Sequence, residues 1–315
     1  MAPLDPVLQG YIERTLAGPA RWELTLEEVR TAADLDAAVL WGEAPDPVAD
    51  VRDVSIETVA GALRARVYRP ESDGDLPCLV WLHGGGWVLG SIESHDHLCR
   101  AIAARTPCCV VSVDYRLAPE HPFPAAVDDA WAGLQWTLET AGELGIDPTR
   151  VSVGGDSAGG NLAVVVALRA RDAGVPLALQ LLVYPVTDAD FDSSSYLEHG
   201  SGLNLNRDEM KWFWDAYVPD GDLFDPEASP LRAASLEGVA PALVQIAEHD
   251  PLYSEGEAYG RRLAEAGVPC TTTRYEGAIH GFAKMPSLTS LATDAVAEMA
   301  AALAAASAPA SLDRS

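Results

Sequence analysis

The chain has 315 residues, 48% of them hydrophobic, which is ample for a large core in one or two domains. Its 21 basic against 47 acidic residues give a net charge of −26, and only two lysines occur, Lys211 and Lys284. That balance repels phosphate backbones and anionic lipid surfaces, so it argues against nucleic-acid and membrane partners.

Up to about residue 45 the pattern is helical and amphipathic, in two segments, "LDPVLQGYIERTLA" and "TLEEVRTAADLDAAVLW". Two β-like runs follow, "VRDVSIETVA" and "ALRARVYRP". A regular alternation then sets in. The strand-like "PCLVWL" precedes the helical "SHDHLCRAIAART", and "PCCVVSVDY" precedes "AAVDDAWAGLQWTLETA". "RVSVGG" leads into "AGGNLAVVVALRARDAG", and "LALQLLVYP" is a further strand. "PALVQIAEHD" is followed by the helix "SEGEAYGRRLAEAG", and "PCTTTRYE" by the last helix, "LATDAVAEMAAALAAA". Strands alternating with helices of this length predict a mostly parallel sheet covered on both faces. Residues 188 to about 228 break the rhythm with a connection far longer than usual, which marks a functional insertion. Together with the N-terminal helices it is expected to form a helical cap, over 1–45 and 188–228, above the strand ends where α/β folds bind ligands. The small, polar tail after Ala306 is expected to fray.

The N-terminal segment has no basic leader followed by an apolar run, and no stretch approaches the roughly 18 apolar residues of a membrane span. The five cysteines, Cys78, Cys99, Cys108, Cys109 and Cys270, are odd in number and lack CxxC spacing. They read as thiols of a reducing compartment, and the expected location is cytoplasmic.

Gly155-Asp156-Ser157-Ala158-Gly159 fits G-x-S-x-G between an apolar strand and an apolar helix. This is the strand–turn–helix setting of a nucleophile elbow, where a serine on a tight turn needs nearly side-chain-free neighbours. A phosphate-binding turn would instead carry G-x-G-x-x-G or G-K-[ST], and neither is present. Ser157 is therefore the candidate nucleophile. The order of such sites is serine, acid, histidine. Of the downstream histidines, His199 falls in the insertion and His249 beside an acid at a strand end. His280, in "YEGAIHGF", stands on a loop after the last strand and is the candidate general base. Asp250 ends a strand and is followed by Pro251, which makes it the preferred acid; Asp188, at the end of an earlier strand, is the alternative.

Three consecutive glycines, Gly84 to Gly86, follow "PCLVWL", and they suit a loop that brings its backbone close to an anion. With "HGGGWVLGS", "DYRLAPEHPFPAAVDDA", "GDSAGGNLA", "DPLYSEGEAY" and "IHGF" in order and register, the chain from about Val51 to about Pro286 resembles the hormone-sensitive-lipase-like family of α/β-hydrolases, the bacterial family IV carboxylesterases. The resemblance implies an α/β-hydrolase catalytic domain over 46–187 and 229–315, and a triad of Ser157, Asp250 and His280. It also implies an oxyanion hole from the backbone N–H groups of Gly85, Gly86 and Ala158, with His83 bracing the glycine loop and Asp156 as a further support. A homodimer is the assembly it suggests. One departure stands out, since Ser254 occupies a position where the family often has a second aspartate.

The function expected from these residues is serine carboxylesterase activity on short- to medium-chain acyl esters, through an acyl-enzyme, with no metal or organic cofactor. The same groups would also serve a deacetylase or an amidase or formamidase, and a receptor that kept the fold without catalysis is the remaining alternative. "SHDHLC" looks like a metal site, but on a helix only His95 and Cys99 share a face, so no metal is expected. Trp87, Trp212, Phe213 and Trp214 are candidate walls of the substrate pocket, with plain packing of the insertion onto the body as the competing reading.

Overall fold

The structure is a computed structural model describing residues 2–42 and 44–307. Except for Ser307, the tail expected to fray lies outside the described residues. Two helices open the chain, α1 (Pro6–Leu16) and α2 (Leu26–Trp41), separated by a short 3-10 turn, Arg21–Glu23. Thr25 caps α2 reciprocally with Glu28, and Gly42 ends it in the left-handed conformation that glycine tolerates.

Eight strands follow, β1 (Asp50–Thr58), β2 (Gly61–Arg69), β3 (Leu76–Leu82), β4 (Cys109–Val113), β5 (Ile146–Asp156), β6 (Gln180–Val183), β7 (Ala242–His249) and β8 (Cys270–Ile279). They form one sheet in the order β1-β2-β4-β3-β5-β6-β7-β8. The β1–β2 and β2–β4 pairs are antiparallel and all others parallel. Strands β3, β4 and β6 are buried along their whole length, which is why they read as unbroken apolar runs. Edge strand β1 is only partly buried.

The connecting helices are α3 (Ile92–Arg105), α4 (Ala125–Glu139), the single turn α5 (Ala141–Leu144), α6 (Ala158–Asp172), α7 (Ser194–His199), α8 (Arg207–Tyr217), α9 (Tyr253–Glu265) and α10 (Ser290–Ala306). They cover both faces of the sheet, one face over the cluster that holds Val80, Val111 and Val153 and the other over that of Leu79, Val110 and Leu181. The long connection between β6 and β7 contains α7 and α8. Helix α8 packs on the 3-10 turn at Arg21–Glu23, and α2 packs on α3.

The sheet sets up the site. Chain order reverses around β3, so β3 and β5 are neighbours, with Leu82 opposite Gly155. The glycine loop after β3 and the serine turn after β5 thus leave the sheet side by side, the usual ligand position in such folds. Strands β7 and β8 are also neighbours, and His249 pairs with Ile279 across a bulge. Gly277, with φ +72°, lies in the extra residues of that bulge and lets β8 run on to Ile279, three residues beyond the strand read from sequence.

Candidate active site

Ser157 sits between the end of β5 and the first turn of α6 with φ +55° and ψ −119°, a conformation an L-residue rarely adopts. Its surroundings show why both flanking glycines are needed. A Cβ on Gly155 would lie 2.4 Å from the Gly159 carbonyl and the Leu82 oxygen, and one on Gly159 would lie 1.9 Å from the Leu82 oxygen. The turn is held from β6, since the Ser157 N–H donates to the Val183 carbonyl at 2.9 Å and the Ser157 carbonyl accepts from Val186 at 3.1 Å. The first turn of α6, which begins at Ala158, leaves its N–H groups without helical partners.

His280 follows β8 directly. Its Nε2 is 3.0 Å from the Ser157 Oγ, and its Nδ1 is 2.7 Å from Asp250 Oδ2. Asp250 is fully buried, and its other oxygen accepts the Leu252 N–H at 2.8 Å. With Nδ1–H donating to the carboxylate, Nε2 is left as an acceptor for the serine hydroxyl. The alternative acid, Asp188, lies elsewhere, with an oxygen 2.8 Å from Arg232 Nε. His249 contacts the Ala2 carbonyl and the ring of His199 instead of Ser157. Ser254 faces the insertion, with its Oγ 2.9 Å from that of Ser194.

Two further groups hold the His280 loop, and sequence offered no sign of either. Asn204, in the insertion, donates from Nδ2 to the His280 carbonyl at 2.8 Å. Tyr184, at the end of β6 with φ +37°, places its ring 4.7 Å from the imidazole.

The glycine loop approaches its neighbours as closely as backbone allows. A Cβ on Gly84 would be 2.6 Å from Asp156 Oδ2, one on Gly85 2.3 Å from the Leu89 carbonyl oxygen, and one on Gly86 2.2 Å from the ring of Phe213. Gly85 and Gly86 have φ +127° and +60°. Beneath the loop, His83 stacks on Tyr115 at 4.2 Å and its Nδ1 is 3.0 Å from the Gly84 carbonyl. Burial pushes its pKa down to about 3, which keeps the His83 imidazole neutral.

Asp156 is the hub of this support. It accepts the Gly84 N–H at 2.9 Å, and it sits 3.0 Å from His95 Nε2 and 3.5 Å from Lys284 Nζ. Burial would raise its pKa, but His95, Lys284 and the Gly84 N–H overcome that and hold it well below the usual carboxylate range. His95, which looked like half of a metal site, therefore works as a partner of Asp156, and His97 packs against Trp41. Among the described residues no group of three or more His, Cys, Asp or Glu side chains could hold a metal ion.

Ser157, His280, the glycine loop and Lys284 line one cavity of about 160 Å³. Its outer wall comes from Tyr11, Arg21, Asp36 and Leu40 of the N-terminal segment and from Met210 and Phe213 of α8. Of the four aromatic candidates only Phe213 lines it. Trp87 is fully buried and stacked on Tyr217 at 4.1 Å, with Trp214 edge-on at 4.8 Å, so both pack the insertion onto the body. Trp212 leans on Phe213 from outside the cavity. An aromatic beside a glycine loop has the same sequence signature whether it faces the substrate or the core.

The profile of the α/β-hydrolase fold family matches residues 79–284. The chain is 44% identical over 289 residues to a carboxylic ester hydrolase, LipN, of Mycobacterium tuberculosis, covering 89% of this chain and 77% of that protein. It is 39% identical over 300 residues to an ethyl acetate hydrolase of Pseudomonas putida, covering 90% and 93%. Among solved structures, the hyperthermophilic esterase of the archaeon Pyrobaculum calidifontis superposes with a TM-score of 0.92 at 40% identity, covering 96% of this chain and 98% of that one.

Proposed function

The chain belongs to the α/β-hydrolase fold family, in its hormone-sensitive-lipase-like branch, and on that premise we propose that it is a serine carboxylesterase in which Ser157 is the nucleophile, His280 the general base and Asp250 the acid that orients it. The observation that carries this reading is the unbroken hydrogen-bond chain from Asp250 through His280 to Ser157. Nε2 of His280 takes the Ser157 proton as Oγ attacks the ester carbonyl. The tetrahedral oxyanion accepts hydrogen bonds from the N–H groups of Gly85, Gly86 and Ala158, which backbone packing holds in place before the charge develops. Nε2 then gives its proton to the leaving alcohol. Water, deprotonated by the same nitrogen, cleaves the acyl-enzyme and restores Ser157. Side chains and backbone supply every step, so the mechanism calls for no cofactor.

Residues 1–45 and 188–228 act as the cap over this site. A cavity of about 160 Å³ suits small, short- to medium-chain acyl esters, and the likeness to an ethyl acetate hydrolase points the same way. Among the described residues no helix is long and apolar enough to cross a membrane. Five free cysteines, four of them buried, suit a reducing, cytoplasmic setting, and the assembly we propose is a homodimer.

The test is covalent labelling by a fluorophosphonate together with rates on a p-nitrophenyl ester series. Rapid labelling that vanishes in Ser157→Ala, with butyrate turned over faster than palmitate, is the expected result. An unlabelled wild type overturns the mechanism, and a preference for palmitate overturns the substrate class.

A further inference from the structure

We propose that Arg21 is a removable partition that sets the length of the hydrocarbon chain the site accepts, an inference that rests on the esterase reading above. A second cavity of about 230 Å³ lies beside the first, within the segments of the cap, between residues 15–22 and 203–209. It contains none of Ser157, His280 or the glycine loop, and its walls combine the apolar Leu16, Trp22 and Leu203 with the polar Thr15, Asn206 and Glu209. Among the described residues only Arg21 and Asn204 line both cavities.

Of those two, Asn204 is pinned by its bond to the His280 carbonyl and cannot retract without disturbing the base. Arg21 is different. It stands on the 3-10 turn Arg21–Glu23, its side chain is 38% exposed, and it is held by an ion pair to Glu209, a buried residue of α8 that belongs to the second cavity. An arginine presents a long apolar stem behind its charged head, so it walls off a hydrocarbon path sterically while the head stays paired. A chain that fills the first cavity meets this side chain before it can enter the second. Taken alone the first cavity is smaller than the roughly 300–1,000 Å³ of common ligand pockets, and the two joined fall within that range. The ligand class for the joined space is the aliphatic chain of a medium- to long-chain ester, with the ester group at Ser157.

The experiment measures kcat/KM of the full-length chain on p-nitrophenyl acetate, butyrate, caprylate and laurate, for the wild type, Arg21→Ala, Arg21→Met and Glu209→Gln. Arg21→Ala should raise the caprylate-to-butyrate ratio by at least about tenfold, since each methylene moved from water into apolar surroundings is worth about fourfold. Arg21→Met keeps most of the apolar stem without the charged head and should move the ratio less than Arg21→Ala does. Glu209→Gln leaves Arg21 in place but unpaired, and should move the ratio in the same direction by less. An Arg21→Ala profile that matches the wild type overturns the partition, as does an Arg21→Met profile shifted as far as that of Arg21→Ala. If Arg21→Ala does not fold, an unmoved ratio in Glu209→Gln is the overturning result. A wild type inactive on every ester refutes the esterase reading and the partition with it, whereas an active wild type with unmoved variants refutes the partition alone.

Discussion

Gly86 joins the glycine loop to the cap, and replacing it tests the oxyanion assignment directly. In Gly86→Ala the new methyl would lie 2.2 Å from two ring carbons of Phe213. Carbon atoms in contact settle at about 3.5–4.0 Å, so one partner must retreat by ~1.3 Å or more. The ring is poorly placed to yield. Phe213 is buried on α8 against Trp212, and the same helix is anchored through fully buried Trp214 and Tyr217. The loop at this point is tied by two backbone bonds, from Val88 and Leu89 to the Gly85 carbonyl. We therefore expect the loop to move and carry its N–H away from the oxyanion. Losing one such donor lowers kcat by about 10²–10³, or about 3–4 kcal/mol of transition-state stabilisation. The φ of +60° adds about 1–2 kcal/mol of strain for an alanine, and this appears in folding stability. The assay is steady-state turnover of p-nitrophenyl butyrate, with thermal unfolding measured alongside, for Gly86→Ala, Phe213→Ala and the double variant. In the double variant the clash is gone, so kcat should return to within about tenfold of Phe213→Ala while the strain remains visible in the melting temperature. Unchanged kcat in Gly86→Ala would refute the loop's role, and failure of the double variant to recover would refute the clash as its cause.

Two other predictions follow from the same geometry. Asp250→Asn should leave the fold intact and lower kcat by about 10⁴, because an amide facing Nδ1 favours the tautomer that cannot accept the serine proton; a loss of less than tenfold would contradict the orienting role. Glu255 concerns stability: it is buried, one oxygen accepts the Thr187 N–H at 2.7 Å, and burial raises its pKa well above the usual value despite that bond. A raised folded-state pKa means that its contribution is complete below the unfolded value of about 4.3 and is lost as pH rises through the folded value. Glu255→Gln does not titrate, so its melting temperature should gain on the wild type as pH rises from about 4 to about 8. A difference that stays constant across that range would refute the burial argument.

The inner strands β3, β4, β6 and β7 were legible because a parallel sheet covered on both faces demands apolar runs, and β1, β2 and β8 were legible as partly exposed strands towards the sheet edges. The bounds of α7 and α8 were not legible within the expected helical cap. Their segment is polar in part and stabilised by contacts with residues far away in the chain, such as the turn at Arg21–Glu23. The tryptophans show a different limit. Trp87 and Trp214 were as plausible as Phe213 for the pocket, and only the direction of each ring separates them. The partnership of His95 with Asp156 was not legible, since the two lie 61 residues apart and no spacing rule connects them.

What the sequence determined by itself is the chemistry that steric rules impose locally. At Gly155 and Gly159, which flank Ser157, the neighbours closer than a Cβ permits are all backbone of the turn or of the end of β3, so glycines must appear at these positions and can be read as a pattern. In the glycine loop Gly85 is constrained by backbone, that of Leu89, whereas Gly84 and Gly86 are constrained most closely by the side chains of Asp156 and Phe213 from elsewhere in the chain. What only the tertiary structure decided is how residues from different strand ends converge. Asp250, His280 and Ser157 meet because β5, β7 and β8 lie near one another in the sheet. Arg21, Asn204 and Phe213 close the cavity because the insertion folds onto the N-terminal helices. Strand order and cap placement arise from burying all the apolar surfaces at once, which no local segment specifies.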